Sequence, residues 1–300
     1  MARHLLGIAD LRPEDVRALL DRADRLADGE RPRQLAGKLQ ANLFFENSTR
    51  TALSFEIAAK RAGADVVAFQ AETSSLSKGE SLLDTARTVE ALGADVLVIR
   101  HRETGAPRRV AAAVGAAVIN AGDGTGEHPT QALLDALTLR RRFGRLEGLT
   151  VAIVGDLRHS RVANSNMLLL TGQGARVLAA GPAALLPDVL PEGVERVGSA
   201  DEAVARADAA MALRVQRERL EDALDLSAAD YHREWGLTSE RLADAKPGLA
   251  VMHPGPMNRG VEIADDVADD PEVSAIWDQV EAGVAVRMAV LDLLTRNRRT

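Results

Sequence analysis

The apolar positions of this chain fall into short continuous runs, separated by longer stretches in which they recur with a helical period. Leu39 to Phe45, Asp65 to Phe69, Asp95 to Ile99 and Ala116 to Ile119 read as strands in the first half. Thr150 to Val154, Ala175 to Ala179, Ala207 to Leu213 and Leu249 to Met252 do so in the second. Runs of this kind predict strands covered on both faces, as in parallel sheets. Asp10 to Leu26 predicts a helix, with Pro13 in its first turn and Val16, Leu19, Leu20, Ala23 and Leu26 on one face. A second helix follows Ser48, with Leu53, Ile57 and Ala58 on one face. Glu80 to Leu92 predicts a third, stopped by Gly93, and Arg108 to Val114 a fourth. Pro129 opens a long helix through Phe143, ended by Gly144. In the second half a helix starts near Ser160, and a polar helical region spans Leu220 to Asp244. Two closing helices, Pro271 to Glu281 and Val284 to Leu294, complete the pattern. The last is apolar on too many sides to stand alone, so it is expected to pack back on the first domain.

Strands alternating with helices throughout predict an α/β fold of two domains, each a mostly parallel sheet flanked by helices. The expected domains are residues 1–135, joined by about 284–300, and residues 149–283. Three hundred residues suffice for two cores. A hydrophobic content of 46% with 27% charged residues is that of a globular chain. No apolar run reaches membrane-spanning length, and Met1-Ala2-Arg3-His4 does not read as a secretory signal. The chain has no cysteine, which excludes disulfides and thiolate metal sites and fits a cytoplasmic protein. A net charge of −7 disfavours nucleic acid and anionic membranes as partners. Any anionic ligand must then be held by a local group of cations. Only Lys38, Lys60, Lys78 and Lys246 are lysines among 37 basic residues. A lysine kept among arginines suits a compact charge in a crowded place.

In open parallel sheets ligands lie at the carboxyl ends of strands, and the polar exceptions of this chain cluster there. Ser48, Thr49, Arg50 and Thr51 follow the first strand and open a helix. Its first-turn N–H groups and dipole, three hydroxyls and one guanidinium suit a phosphate dianion. A capped helix with a solvated arginine accounts for the same four residues. Arg100 ends a second strand, and His128 closes the loop after a third. In the second half Asp156 to Arg161, Arg214 with Gln216, and His253 to Asn258 hold the corresponding places. Each has a plainer reading alone: Arg100 and Arg161 as solvated charges, His128 as a helix cap, Gln131 as a surface residue. Val154-Gly155-Asp156-Leu157-Arg158 lacks the Gly-x-Gly-x-x-Gly spacing, so no dinucleotide site is predicted.

The phrases taken together are more specific. Phe44-Phe45-Glu46-Asn47-Ser48-Thr49-Arg50-Thr51 and His128-Pro129-Thr130-Gln131 resemble the carbamoyltransferase family, which joins carbamoyl phosphate to an amine. Ser75-Leu76-Ser77-Lys78-Gly79-Glu80, the stretch Arg214 to Leu220, and His253-Pro254-Gly255-Pro256-Met257-Asn258-Arg259-Gly260 are similar to its aspartate branch. The ornithine branch has a His-Cys-Leu-Pro motif, and this chain has no cysteine. The likeness runs from about Leu43 to Arg296. One departure is Gly255, where other members carry a bulkier residue; only backbone carbonyl contacts are expected there.

The resemblance implies a reaction and a set of roles. Carbamoyl phosphate would donate its carbamoyl group to the α-amine of L-aspartate, a step of de novo pyrimidine biosynthesis. Arg50, Thr51, Lys78, Arg100 and His128 would be catalytic. Ser48, Thr49, Arg50, Thr51, Ser75, Arg100, His128, Gln131, Gly255 and Pro256 would bind carbamoyl phosphate. Lys78, Arg161, Arg214 and Gln216 would bind aspartate. No metal and no cofactor is implied. The family works as a homotrimer with shared active sites, the Ser75–Lys78 loop reaching a neighbouring subunit. A regulatory chain or a dihydroorotase partner is left open. A catalytically silent scaffold on the same fold is disfavoured by the presence of Arg50, Lys78, Arg100, His128 and Arg161.

Overall fold

The structure is a computed structural model that describes residues 3–30, 35–70, 80–215 and 226–295. Contacts divide the chain into two units, Met1–Leu137 with Glu281–Thr300, and Thr138–Val280. In the first unit the order is α1 (Pro13–Ala27), β1 (Leu39–Phe44), α2 (Thr49–Arg61), β2 (Asp65–Gln70), α3 (Leu82–Ala91), β3 (Val96–His101), α4 (Ala106–Ala111) and β4 (Ala117–Asp123). Helix α5 (Pro129–Phe143) then runs on into the second unit. The four strands are parallel in the order β2-β1-β3-β4. Ala41 and Leu43 of β1 face a core with Ala86, Leu97, Ile99, Val110 and Val118. Gln40 and Asn42 point to the other face, and their burial is tolerated because they bond each other. Gln40 Nε2 donates to Asn42 Oδ1 at 2.8 Å and to the Phe55 carbonyl of α2 at 3.3 Å.

The second unit continues with β5 (Thr150–Val154), α6 (Arg161–Gly172), β6 (Arg176–Ala180), β7 (Val194–Arg196), α7 (Ala200–Arg206) and β8 (Ala209–Ala212). It is completed by α8 (Ala228–Trp235), α9 (Ser239–Leu242), β9 (Ala250–Met252) and α10 (Asp265–Asp269). Its five strands are parallel in the order β7-β6-β5-β8-β9. Its core joins Ala152, Val154, Leu178, Val204, Val251 and Ile263. The fold is thus α/β, with two parallel-sheet domains flanked by helices.

Helix α11 (Ile276–Thr295) starts in the second unit and ends in the first. There Arg22 Nε donates to Asp292 Oδ2 at 2.6 Å with both side chains buried, and Arg22 also bonds Glu30. Removing one partner of such a buried pair typically costs about 3–5 kcal/mol, so the contact anchors the returning helix. Two helices were expected in this region, Pro271 to Glu281 and Val284 to Leu294. One helix of 20 residues spans both, with Gly283 inside it. A glycine costs an α-helix only about 1 kcal/mol, less than burial on both sides of it returns. Residues 271–273 instead form a turn and Ser274 bridges to Val251: Val251 N donates to the Val273 carbonyl at 2.7 Å and Ala275 N to the Val251 carbonyl at 2.8 Å.

The apolar face expected for α2, Leu53 with Ile57 and Ala58, is split in the structure. Thr51, Phe55, Ala58 and Ala59 are buried, whereas Leu53 is 52% and Ile57 41% exposed. At about 100° per residue Leu53 lies about 200° from Phe55, so the two apolar stripes cannot share one face.

Candidate active site

Both sheets reverse their strand order once. In the first, β1 leads outward to β2 and the chain returns to β3 on its other side. In the second, β5 leads to β6 and β7, and the chain returns to β8. At such switch points the loops leave in opposite directions and open a crevice beyond the strand ends. The candidate residues fall at these two places. Ser48 to Thr51 follow β1, and Arg100 ends β3. Asp156 to Arg161 follow β5, and Arg214 follows β8.

In the first unit Phe45 N donates to the Arg100 carbonyl at 2.9 Å, which keeps the exit of β1 beside that of β3. Ser48 occupies the N-cap of α2 but makes no side-chain capping bond. The first-turn N–H groups are therefore not claimed by its hydroxyl. Thr51 is buried and Arg50 exposed. Arg100 is held by the Ala121 carbonyl at 3.2 Å and by Glu46 Oε1 at 3.0 Å. Glu46, not foreseen from the sequence, aims that guanidinium.

His128 is buried at the end of a loop built on one carboxylate. Asp123 accepts from Gly105 N at 2.6 Å, Asn120 Nδ2 at 2.9 Å and Glu127 N at 2.8 Å. The loop packs so closely that a Cβ on Gly124, at φ +46°, would lie 2.7 Å from Thr104 N. The His128 carbonyl accepts from Gln131 N at 2.9 Å and Ala132 N at 3.2 Å, which starts α5. Gln131 Nε2 then donates to Asp135 Oδ1 at 2.9 Å, one turn further on. Arg287 is buried nearby over the Phe55 ring, 5.0 Å from its centroid, and Arg287 Nη1 donates to Ser54 Oγ at 2.8 Å. Burial pulls its pKa down to about 10, opposed by the Asp135 carboxylate, so it stays a cation at neutral pH.

In the second unit Gly155 adopts φ +128°, and a Cβ there would lie 3.0 Å from the Tyr231 hydroxyl and 3.3 Å from Leu213 Cβ. Only glycine fits that turn. Asp156 then folds the chain back, accepting from His159 N at 3.2 Å and pairing with His159 Nδ1 at 2.9 Å. Ser160 Oγ accepts from Ala163 N at 3.1 Å and caps α6, whose first residue is Arg161. Such a cap is worth about 1 kcal/mol. Arg161 is half-buried, and Arg214 is exposed. Leu213 N bonds the Val154 carbonyl at 2.8 Å, and Asn258 Nδ2 the Val215 carbonyl at 2.9 Å, tying the ends of β5, β8 and the loop after β9 together.

That loop is organised by His253. Its Nδ1 accepts from Gly255 N at 2.8 Å, so the proton sits on Nε2, which meets Glu262 Oε1 at 3.1 Å. Glu262 Oε1 also accepts from Asn258 N at 2.6 Å. With both ring nitrogens engaged inside the protein, His253 shapes the Gly255–Pro256 turn. Burial pushes the Tyr231 phenol up, reinforced by the charges of Glu262 and Asp156, and keeps it protonated.

The first sheet edge thus gathers Ser48, Thr49, Arg50, Thr51, Arg100, His128 and Gln131. The second gathers Arg161 and Arg214 with Gly255 and Pro256. Ser75, Lys78 and Gln216 lie outside the described residues. Among the described residues, no group of three or more histidines and carboxylates has the arrangement of a metal site. No described helix is long and apolar enough to cross a membrane.

Two parallel α/β units with cations and N–H donors at their switch points define a class of enzyme that handles small anionic molecules. Comparison with known proteins names the family. Residues 3–141 match the aspartate/ornithine carbamoyltransferase carbamoyl-P binding domain, and residues 147–294 match the family's Asp/Orn binding domain. The chain belongs to the aspartate/ornithine carbamoyltransferase family. It is 56% identical over 301 residues to the aspartate carbamoyltransferase catalytic subunit of Granulibacter bethesdensis, covering 98% of this chain and 95% of that one. The corresponding subunit of Acidiphilium cryptum is 55% identical over 304 residues, with 98% and 96% covered. Among solved structures it resembles aspartate transcarbamoylase from Trypanosoma cruzi in complex with carbamoyl phosphate and aspartate. That likeness has a TM-score of 0.85 at 33% identity, with 96% of this chain and 94% of that chain covered.

Proposed function

We propose that this chain transfers the carbamoyl group of carbamoyl phosphate to the α-amine of L-aspartate, giving N-carbamoyl-L-aspartate and phosphate. The observation that carries this reading is a coincidence of two independent divisions. The two family matches, residues 3–141 and 147–294, follow the two units up to the closing helix α11, which the second match includes and which ends in the first unit, and each unit holds its cationic residues at the switch point of its own sheet. Ser48, Thr49, Arg50 and Thr51 bind the phosphate, as a helix N-terminus with a guanidinium suits a dianion. Thr51, Arg100 and His128 polarise the carbamoyl carbonyl, and Gln131 binds its amide. Arg161, Arg214 and Gln216 grip the carboxylates of aspartate, and Lys78 serves both substrates. Ser75 assists at the phosphate.

The free amine of aspartate attacks the carbonyl carbon. As the C–N bond forms, negative charge collects on the carbonyl oxygen, where fixed donors stabilise it more than they stabilise the ground state. The C–O bond to phosphate then breaks, and the amine proton leaves with the departing phosphate. No covalent intermediate with the protein is needed, and no cofactor enters. The reaction is a step of de novo pyrimidine biosynthesis.

The assembly we propose is a homotrimer in which Ser75 and Lys78 serve the neighbouring subunit's site. Leu53 and Ile57 support it: they form an exposed apolar pair, one turn apart, on the outer face of α2.

The test is product formation from carbamoyl phosphate labelled in its carbonyl carbon. Label is expected in N-carbamoyl-L-aspartate, with one phosphate released per product and none released faster than background without aspartate. Phosphate release independent of aspartate would mean a hydrolase and would overturn the reading.

A further inference from the structure

We infer that Asp135 fixes the Gln131 side-chain amide with its oxygen presented to the ligand, and so makes the site select a carbamoyl NH2 group. The inference rests on the carbamoyl-transfer reading above and deepens it.

An amide side chain has two ends of opposite polarity and nearly equal shape, so its direction must be imposed by a partner. Asp135 is that partner. It is fully buried on α5, and Gln131 Nε2 donates to its Oδ1 at 2.9 Å. An ionised carboxylate only accepts, so it can face only the NH2 end of Gln131. The oxygen lies on the other branch of the same planar group and is turned away from Asp135. Gln131 sits in the first turn of α5, and Asp135 one turn deeper. The oxygen therefore belongs to the side nearer the helix start, where His128 also lies. There it accepts from an N–H. A carbamoyl group has that donor, and an acetyl group of similar shape has none.

A buried cation, Arg287, belongs to the same region. The guanidinium is buried within the field of Asp135, with Nη1 on Ser54 Oγ at 2.8 Å. The helix makes room for it at a cost. A Cβ on Gly283 would stand 2.6 Å from Arg287 Nη1 and 3.3 Å from Leu134 Cδ2, so the glycine inside α11 opens the space this cation fills. A buried cation, a buried carboxylate and a buried amide thus run in series from α11 to the start of α5. Asp135 is a positioning residue: it acts through Gln131.

Asp135→Asn tests this, because asparagine offers Gln131 either end of its own amide and no longer dictates a direction. The KM for carbamoyl phosphate is expected to rise by about tenfold, the weight of one oriented hydrogen bond. The inhibition constants of acetyl phosphate and inorganic phosphate, which lack the NH2 group, should stay within about twofold. Asp135→Glu keeps the charge beside Arg287 but misplaces the acceptor, and it gives the same selective pattern where Asp135→Asn does not fold. Equal weakening of all three ligands would reduce Asp135 to a packing role and overturn the inference. Unchanged selectivity in both variants would do so as well. Failure of the wild-type protein to carbamoylate aspartate at all would instead sink the functional reading beneath it.

Discussion

Arg50→Ala is expected to lower kcat with carbamoyl phosphate and aspartate by on the order of a hundred- to a thousandfold while leaving the fold intact. The fold survives because Arg50 is exposed on the first turn of α2, and alanine is the best helix former. Catalysis does not, because the guanidinium completes a donor set that no neighbour replaces. The Ser48 hydroxyl is not spent on capping, and Arg100 is already shared with Glu46 and the Ala121 carbonyl. As phosphate leaves, its charge grows, and a forked partner is worth most at that moment. Arg50→Lys should recover only part of the rate, since a single ammonium cannot bond two phosphate oxygens in a plane. Steady-state kinetics alongside a thermal melt separate the two effects. Turnover within a few-fold of wild type would place the phosphate elsewhere.

The second large effect is a rescue. If Lys78 serves the neighbouring subunit's site in a cyclic trimer, Arg50→Ala and Lys78→Ala subunits are each dead alone but complementary when mixed. Each site then needs an intact Arg50 from one chain and an intact Lys78 from the next. Random one-to-one mixing restores about one quarter of the wild-type sites, a fraction set by the closed symmetry. Subunits are denatured, mixed and refolded together, with each variant refolded alone as control. Proven hybrid trimers as inactive as their parents would return Lys78 to its own chain.

The positions of several candidate residues are legible in the sequence for a physical reason, while their roles rest on the family resemblance. Buried strands end abruptly at polar turns, so Ser48 to Thr51, Arg100, Arg161 and Arg214 stand out as breaks in an apolar pattern. What was not legible depends on distance along the chain or on competition between faces. Glu46 and Arg100 are far apart in sequence, and Asp135 lies farther still from Arg287; no local period joins either pair. Strand β7 has three residues, two of them exposed, which is too little apolar signal to mark a strand. On α2 both Phe55 and the Leu53–Ile57 pair have helical spacing, and the sequence does not say which stripe meets the sheet. The sheet chose the one carrying the bulky ring. Gly283 looked like a helix boundary because glycine usually is one; here it is the space for Arg287.

The central claim is that the amine acceptor is a dicarboxylate held by guanidinium groups. The measurement that addresses it most directly is the ratio of kcat/KM for L-aspartate to that for L-ornithine, each with saturating carbamoyl phosphate. On the proposed roles, Arg161 and Arg214 would attract the two carboxylates of aspartate and repel the side-chain ammonium of ornithine, so the ratio should reach on the order of a thousandfold or more. Comparable values for the two amines, or a preference for ornithine, would contradict the assignment of that edge of the second sheet.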